Sequence, residues 1–117
     1  MIIKYNDSKM IFAVDFDGTI VEHRFPEIGE ERPGAIQTLK DLQSKGHAII
    51  IWTCREGKSI DEMNAWLDKQ GFKPDKINEN LEKIDFAYHK IYADYYFDDR
   101  SFPEFPGWEK VRSRFLG

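Results

Sequence analysis

Two short apolar runs dominate the hydropathy pattern of this chain. "KMIFAVDF", residues 9–16, and "HAIIIWT", residues 47–53, are nearly continuous and rich in β-branched residues. Runs of this kind predict strands covered on both faces, as in a parallel sheet. Between them, in "RPGAIQTLKDLQSKG", the period changes: Ile36, Leu39 and Leu42 mark one face of a helix. Pro33 suits the first position of that helix and Gly46 the residue past its end. The three segments predict a strand–helix–strand crossover, which is right-handed in nearly all proteins.

The pattern then repeats. Ser59-Ile60-Asp61-Glu62 matches a capping box, in which a serine and a glutamate three residues on satisfy free amides reciprocally. Ile60, Met63, Trp66 and Leu67 follow at helical spacing, and Gly71 closes the helix. "DKIN", 75–78, predicts a short third strand, and "ADYYFDD", 93–99, a further strand that ends in acids. "WEKVRSRF" predicts a C-terminal helix, and "MIIKY" an edge strand ahead of a turn at Asn6-Asp7. The alternation implies a three-layer, Rossmann-like α/β sandwich with a mostly parallel central sheet.

Composition narrows the class. With 117 residues, 41% of them hydrophobic, the chain suits one domain, 1–117, with a real core. A net charge of −4 implies no general affinity for nucleic-acid phosphates. The single cysteine, Cys54, excludes an intrachain disulfide and fits a reducing compartment; it is expected to be a bystander or a core residue. The first ten residues lack the long apolar stretch of a secretory leader, and no apolar run approaches the ~20 residues of a membrane span. The expectation is a cytoplasmic protein with no membrane partner.

Chemistry enters at the carboxyl ends of the predicted strands. The first ends in Asp15 and Asp17, the second in Thr53, the last in Asp98 and Asp99. In an open parallel sheet that edge is where ligands bind. Asp15 and Asp17 are two apart, so on a strand both side chains point to one face. Four clustered acids repel one another, and a hard cation with oxygen ligands, Mg²⁺ first among them, resolves the repulsion. Taken singly, Asp17-Gly18 reads as an ordinary turn pair and Asp98-Asp99 as a solvated strand end; their joint occurrence at strand ends favours a site.

"DFDGTI" after an apolar strand resembles the first motif of the haloacid dehalogenase (HAD) superfamily of phosphohydrolases. The other motifs stand in order: Thr53 closing "AIIIWT", Lys90 in "HKIYAD", and Asp98 and Asp99 in "YYFDDR". The match spans residues 11 to about 100. The resemblance implies a Mg²⁺-dependent phosphomonoester hydrolase that works through an aspartyl-phosphate on Asp15. Asp17 would be the general acid and base, and Gly18 would let the chain turn and approach the phosphate. Thr19 would stabilise that turn, Thr53 would bind a phosphoryl oxygen, and Lys90 would neutralise nucleophile and phosphate. The metal would be held by Asp15, the main-chain carbonyl of Asp17, and Asp98. Asp99 would assist through water or anchor Lys90.

Ordinary alternatives stand beside these. Lys90 competes with Lys73, Lys76 and Lys83, and most lysines are merely solvated. Thr53 could be a plain strand residue. His23, Arg24, Arg55 and Arg100 could line the mouth of the site or face solvent, and His47 fits a helix end better than a metal. HAD enzymes often carry a cap domain. Here residues 20–32 and 71–90 are too short for one, which implies a capless member with a flap-like loop at 20–32. Such an open site suits a phosphorylated small molecule or macromolecule, or closure by a second subunit; the acidic loop argues against nucleic acid. Two other readings are a non-catalytic Mg²⁺- or phosphate-binding regulatory module on the same fold, and a phosphoacceptor receiver domain. The order of acids speaks against the receiver, which carries its phosphorylated aspartate on a later strand.

Overall fold

A computed structural model describes residues 9–86 and 89–117. The edge strand expected at Met1–Tyr5 lies outside the described residues. Among the described residues four strands form one sheet: β1 (Ile11–Val14), β2 (Ala48–Ile51), β3 (Lys76–Ile77) and β4 (Tyr95–Phe97), in the order β3-β2-β1-β4 and all parallel. β1 lies between β2 and β4, with Phe12 opposite Ile49 on one side and Tyr95 on the other. Its four residues are buried on both faces, which is why they read as a continuous apolar run rather than an alternating one.

The period of two divides the core. Phe12, Val14, Ile49, Ile51 and Phe97 face the helices α1 (Ala35–Ser44), α2 (Lys58–Lys69) and α3 (Trp108–Phe115). Ile11, Ala13, Ala48 and Ile50 face the other way, against Ile84, Ile91 and Ala93. The third layer is thus a length of irregular chain, with no helix among its described residues. Handedness accounts for the division. The steps β1→β2→β3 run in one direction, so right-handed crossovers put α1 and α2 on one face. The step from β3 to β4 runs back past β2 and β1 and must cross the other face.

Both early helices end as expected. His47 N–H bonds Leu42 O and Gly46 N–H bonds Gln43 O; Phe72 repeats this to Leu67 and Gly71 to Asp68. This is the Schellman pattern, which satisfies the last free carbonyls. The helix starts differ from expectation. Pro33 is not the first residue of α1. It forms a turn with Gly34 (φ 80°), closed by Ala35 N–H to Arg32 O, and α1 starts at Ala35. A positive φ at the third position of such a turn favours glycine. Glu31, in the loop, caps α1 by accepting from Ile36 N–H at 2.9 Å. α2 starts before Ser59, whose hydroxyl bonds the Glu56 backbone instead of forming the expected box. His47 sits past the end of α1 at the start of β2. Its Nδ1 accepts from Met10 N–H, and burial lowers its pKa. No helix among the described residues is long and apolar enough to cross a membrane.

Candidate active site

The direction of chain crossing reverses between β1 and β4, the kind of position where open sheets leave a crevice at the carboxyl edge. Asp15 follows β1, Thr53 follows β2, and Asp98 and Asp99 follow β4. A cleft of about 230 Å³ there is lined by Asp15, Asp17, Thr53, Asp98 and Asp99, with His23, Phe25, Cys54, Arg55 and Arg100 around them. Strand ends more than 35 residues apart in sequence thus converge because parallel pairing aligns their termini.

Three carboxylates come together: Asp15, Asp98 and Asp99 each place an oxygen within 4.8 Å of the others. Burial is the largest influence on Asp15, followed by its hydrogen bond with Asp99 and the charges of Asp98 and Asp99. They push its carboxyl from 3.8 up to about 8. The cluster is therefore short of positive charge, and its donors are all hard oxygens, which suits Mg²⁺ or a similar cation. Asp99 is a full member, a position the sequence left secondary.

Gly18 and Thr19 explain how Asp99 gets there. A Cβ on Gly18 would stand 2.4 Å from Asp99 Oδ2, and Gly18 has φ 96°. Glycine here serves both a turn and a close approach. Thr19 is fully buried. Its hydroxyl accepts from Asp99 N–H at 2.9 Å and lies 3.3 Å from Asp15 Oδ2 and 3.4 Å from Asp99 Oδ1, donating to one at a time. Its carbonyl accepts from the Trp108 indole at 2.8 Å, which anchors this loop to α3.

Asp17 does not join the cluster through its side chain. Its two oxygens accept from Arg55 Nε and Nη2, both at 2.8 Å. Arg55 is only 2% exposed, so the solvent-facing alternative does not hold for it. Thr53 is fixed through its backbone: it donates to Asn78 Oδ1 and accepts from Asn78 Nδ2. The Thr53 hydroxyl accepts from Arg55 N–H. Lys90 is exposed, with its ammonium 5.5 Å from the Tyr96 ring centre, and is not among the residues lining the cleft. Arg24 pairs with Glu22 at the surface. Cys54 is exposed at the cleft rather than in the core. The Asp17–Arg55 pair had no local sequence signal, because its partners stand 38 positions apart.

No protein-family model matches the chain. A Bacillus cereus protein named "Putative nucleotidase" is 32% identical over 73 residues. The match covers 58% of this chain, and the chain spans only 38% of that relative's length. A conserved protein from Bacteroides thetaiotaomicron, known as a solved structure, is 42% identical with a TM-score of 0.84. That match covers 92% of this chain and 89% of the other. The chain and that conserved protein belong to one family.

Proposed function

We propose that this protein is a phosphohydrolase of the HAD type that cleaves phosphomonoesters through an aspartyl-phosphate on Asp15. The observation that carries the reading is the convergence of Asp15, Asp98 and Asp99 at the carboxyl edge of the sheet. Asp17 and Thr53 line the same cleft. The nucleotidase name of the Bacillus cereus relative agrees with it and puts nucleotides first among substrates to test.

The chemistry then follows from the side chains. Asp15 Oδ attacks phosphorus, a P–O bond to the leaving group breaks, and Asp17 gives a proton to the departing oxygen. Asp17 next takes a proton from water, which attacks the aspartyl-phosphate and regenerates Asp15 with release of phosphate. Thr53 hydrogen-bonds a phosphoryl oxygen, and Lys90 would have to swing in from beside Tyr96, outside the cleft, to supply a cation for it. Mg²⁺ would be held by Asp15 and Asp98, with Asp99 and the Asp17 carbonyl beside them, and when bound would offset the negative charge of carboxylates and phosphate. Among the described residues no folded cap stands over the cleft, which leaves room beside it for the rest of the substrate.

A panel of nucleotides, sugar phosphates and phosphopeptides with Mg²⁺ tests this. Turnover that Asp15→Asn abolishes is expected; no turnover of any member contradicts it. One observation favours the alternative of a binding module without turnover: both Asp17 oxygens are already engaged by Arg55.

A further inference from the structure

Arg55 is a buried cation with four of its hydrogen bonds in view. Nε and Nη2 donate to the two Asp17 oxygens, Nη2 also to Glu27 O at 3.1 Å, and Nη1 to Ser59 O at 3.3 Å. Its guanidinium lies 5.4 Å from the Phe16 ring centre and 5.0 Å from that of Phe25. Phe25 and Glu27 belong to the loop 20–32, which folds back on itself: Val21 bridges to Glu31, and Glu22 N–H bonds Glu30 O. One side chain therefore holds the Asp17 carboxylate, the outer part of this loop and the first turn of α2. Phe25 is half exposed and lines the cleft, so a molecule entering the cleft meets the ring that covers Arg55.

We infer that Arg55 is a positioning residue that couples the loop 20–32 to Asp17, so that displacement of the loop by substrate and delivery of Asp17 to the leaving group are one event. The inference rests on the phosphohydrolase reading. A fork of N–H donors fixes the plane of the Asp17 carboxylate and still leaves lone pairs on both oxygens. To bring one of them to a leaving-group oxygen, carboxylate and fork must move together. The cheapest way to move the fork is to shift its other attachments, and two of these, the Glu27 carbonyl and the Phe25 ring, sit on the loop that faces the cleft. Lysine cannot reproduce the arrangement: it brings one point charge in place of a planar fork that stacks on rings and reaches two carbonyls.

Leaving groups separate this from a merely structural role. An aryl phosphate such as 4-nitrophenyl phosphate needs little protonation as it departs, whereas an alkyl phosphate such as glycerol phosphate needs the acid. Arg55→Lys is expected to lower kcat on the alkyl ester by ~100-fold, within the range that general acid catalysis contributes. The aryl ester loses only a few-fold. Phe25→Ala, which leaves the carboxylate pair intact, shifts the ratio of the two substrates in the same direction by a smaller factor. It decides the matter if Arg55→Lys melts below the assay temperature. Equal proportional losses on both substrates overturn the inference and leave the phosphohydrolase reading standing. Absence of Asp15-dependent turnover in the unmodified protein overturns both.

Discussion

Replacing Gly18 by alanine tests how the acidic cluster is assembled. Two costs can be worked out from the geometry. The backbone has φ 96°, where a side chain is strained by about 1–3 kcal/mol. The new methyl group would also stand 2.4 Å from Asp99 Oδ2 and 2.5 Å from its Cγ, distances that real carbon atoms do not sustain. The Asp99 carboxylate must move, and with it goes its hydrogen bond from the Thr19 hydroxyl, worth about 1 kcal/mol. Together these predict a loss of about 2–4 kcal/mol of stability. At ~4 °C per kcal/mol for a domain of this size, the melting temperature falls by about 8–16 °C. Function suffers separately: with Asp99 displaced, affinity for a divalent cation falls by about 10–100-fold. Thermal melts in EDTA read the first effect and calorimetric titration with Mg²⁺ the second. A variant that melts within about 2 °C of the parent and binds the cation equally well would refute the packing argument.

The raised Asp15 carboxyl carries a sign. Between its usual 3.8 and about 8 the folded protein binds more protons there than the unfolded chain does. In EDTA, stability from this group is present at low pH and is lost as pH rises through that window; Asp15→Asn removes this contribution, so the difference in melting temperature between variant and parent grows with pH, whereas a constant difference contradicts it. Trp108→Phe strips the buried Thr19 carbonyl of its indole donor, and chemical denaturation should register a loss of about 1–3 kcal/mol, while a change near zero would sink the proposed anchor between α3 and the first loop.

Much of this architecture was legible because it depends on local pattern. β1 and β2 announce themselves as apolar runs, since both their faces are covered, and the helix ends at Gly46 and Gly71 follow from backbone demands that one residue type meets best. The helix starts were harder because their partners are not where the sequence motif puts them. Glu31 caps α1 across a proline–glycine turn, and Ser59 bonds back to Glu56. The third layer escaped a periodicity reading altogether: Ile84, Ile91 and Ala93 cover the sheet from irregular chain. In the site, Asp15 and Asp98 were legible from their place at strand ends. The engagement of Asp17 by Arg55 was not, because an ion pair across 38 positions leaves no trace in local spacing. Nor was the place of Asp99, which depends on the missing side chain of Gly18.

The central claim is that Asp15 is a nucleophile toward phosphorus. Beryllofluoride with Mg²⁺ mimics the aspartyl-phosphate, and fluorine NMR reads the adduct directly. One bound species is expected in the parent protein and none in Asp15→Asn. No adduct in the parent, under conditions where calorimetry shows Mg²⁺ bound, would contradict it.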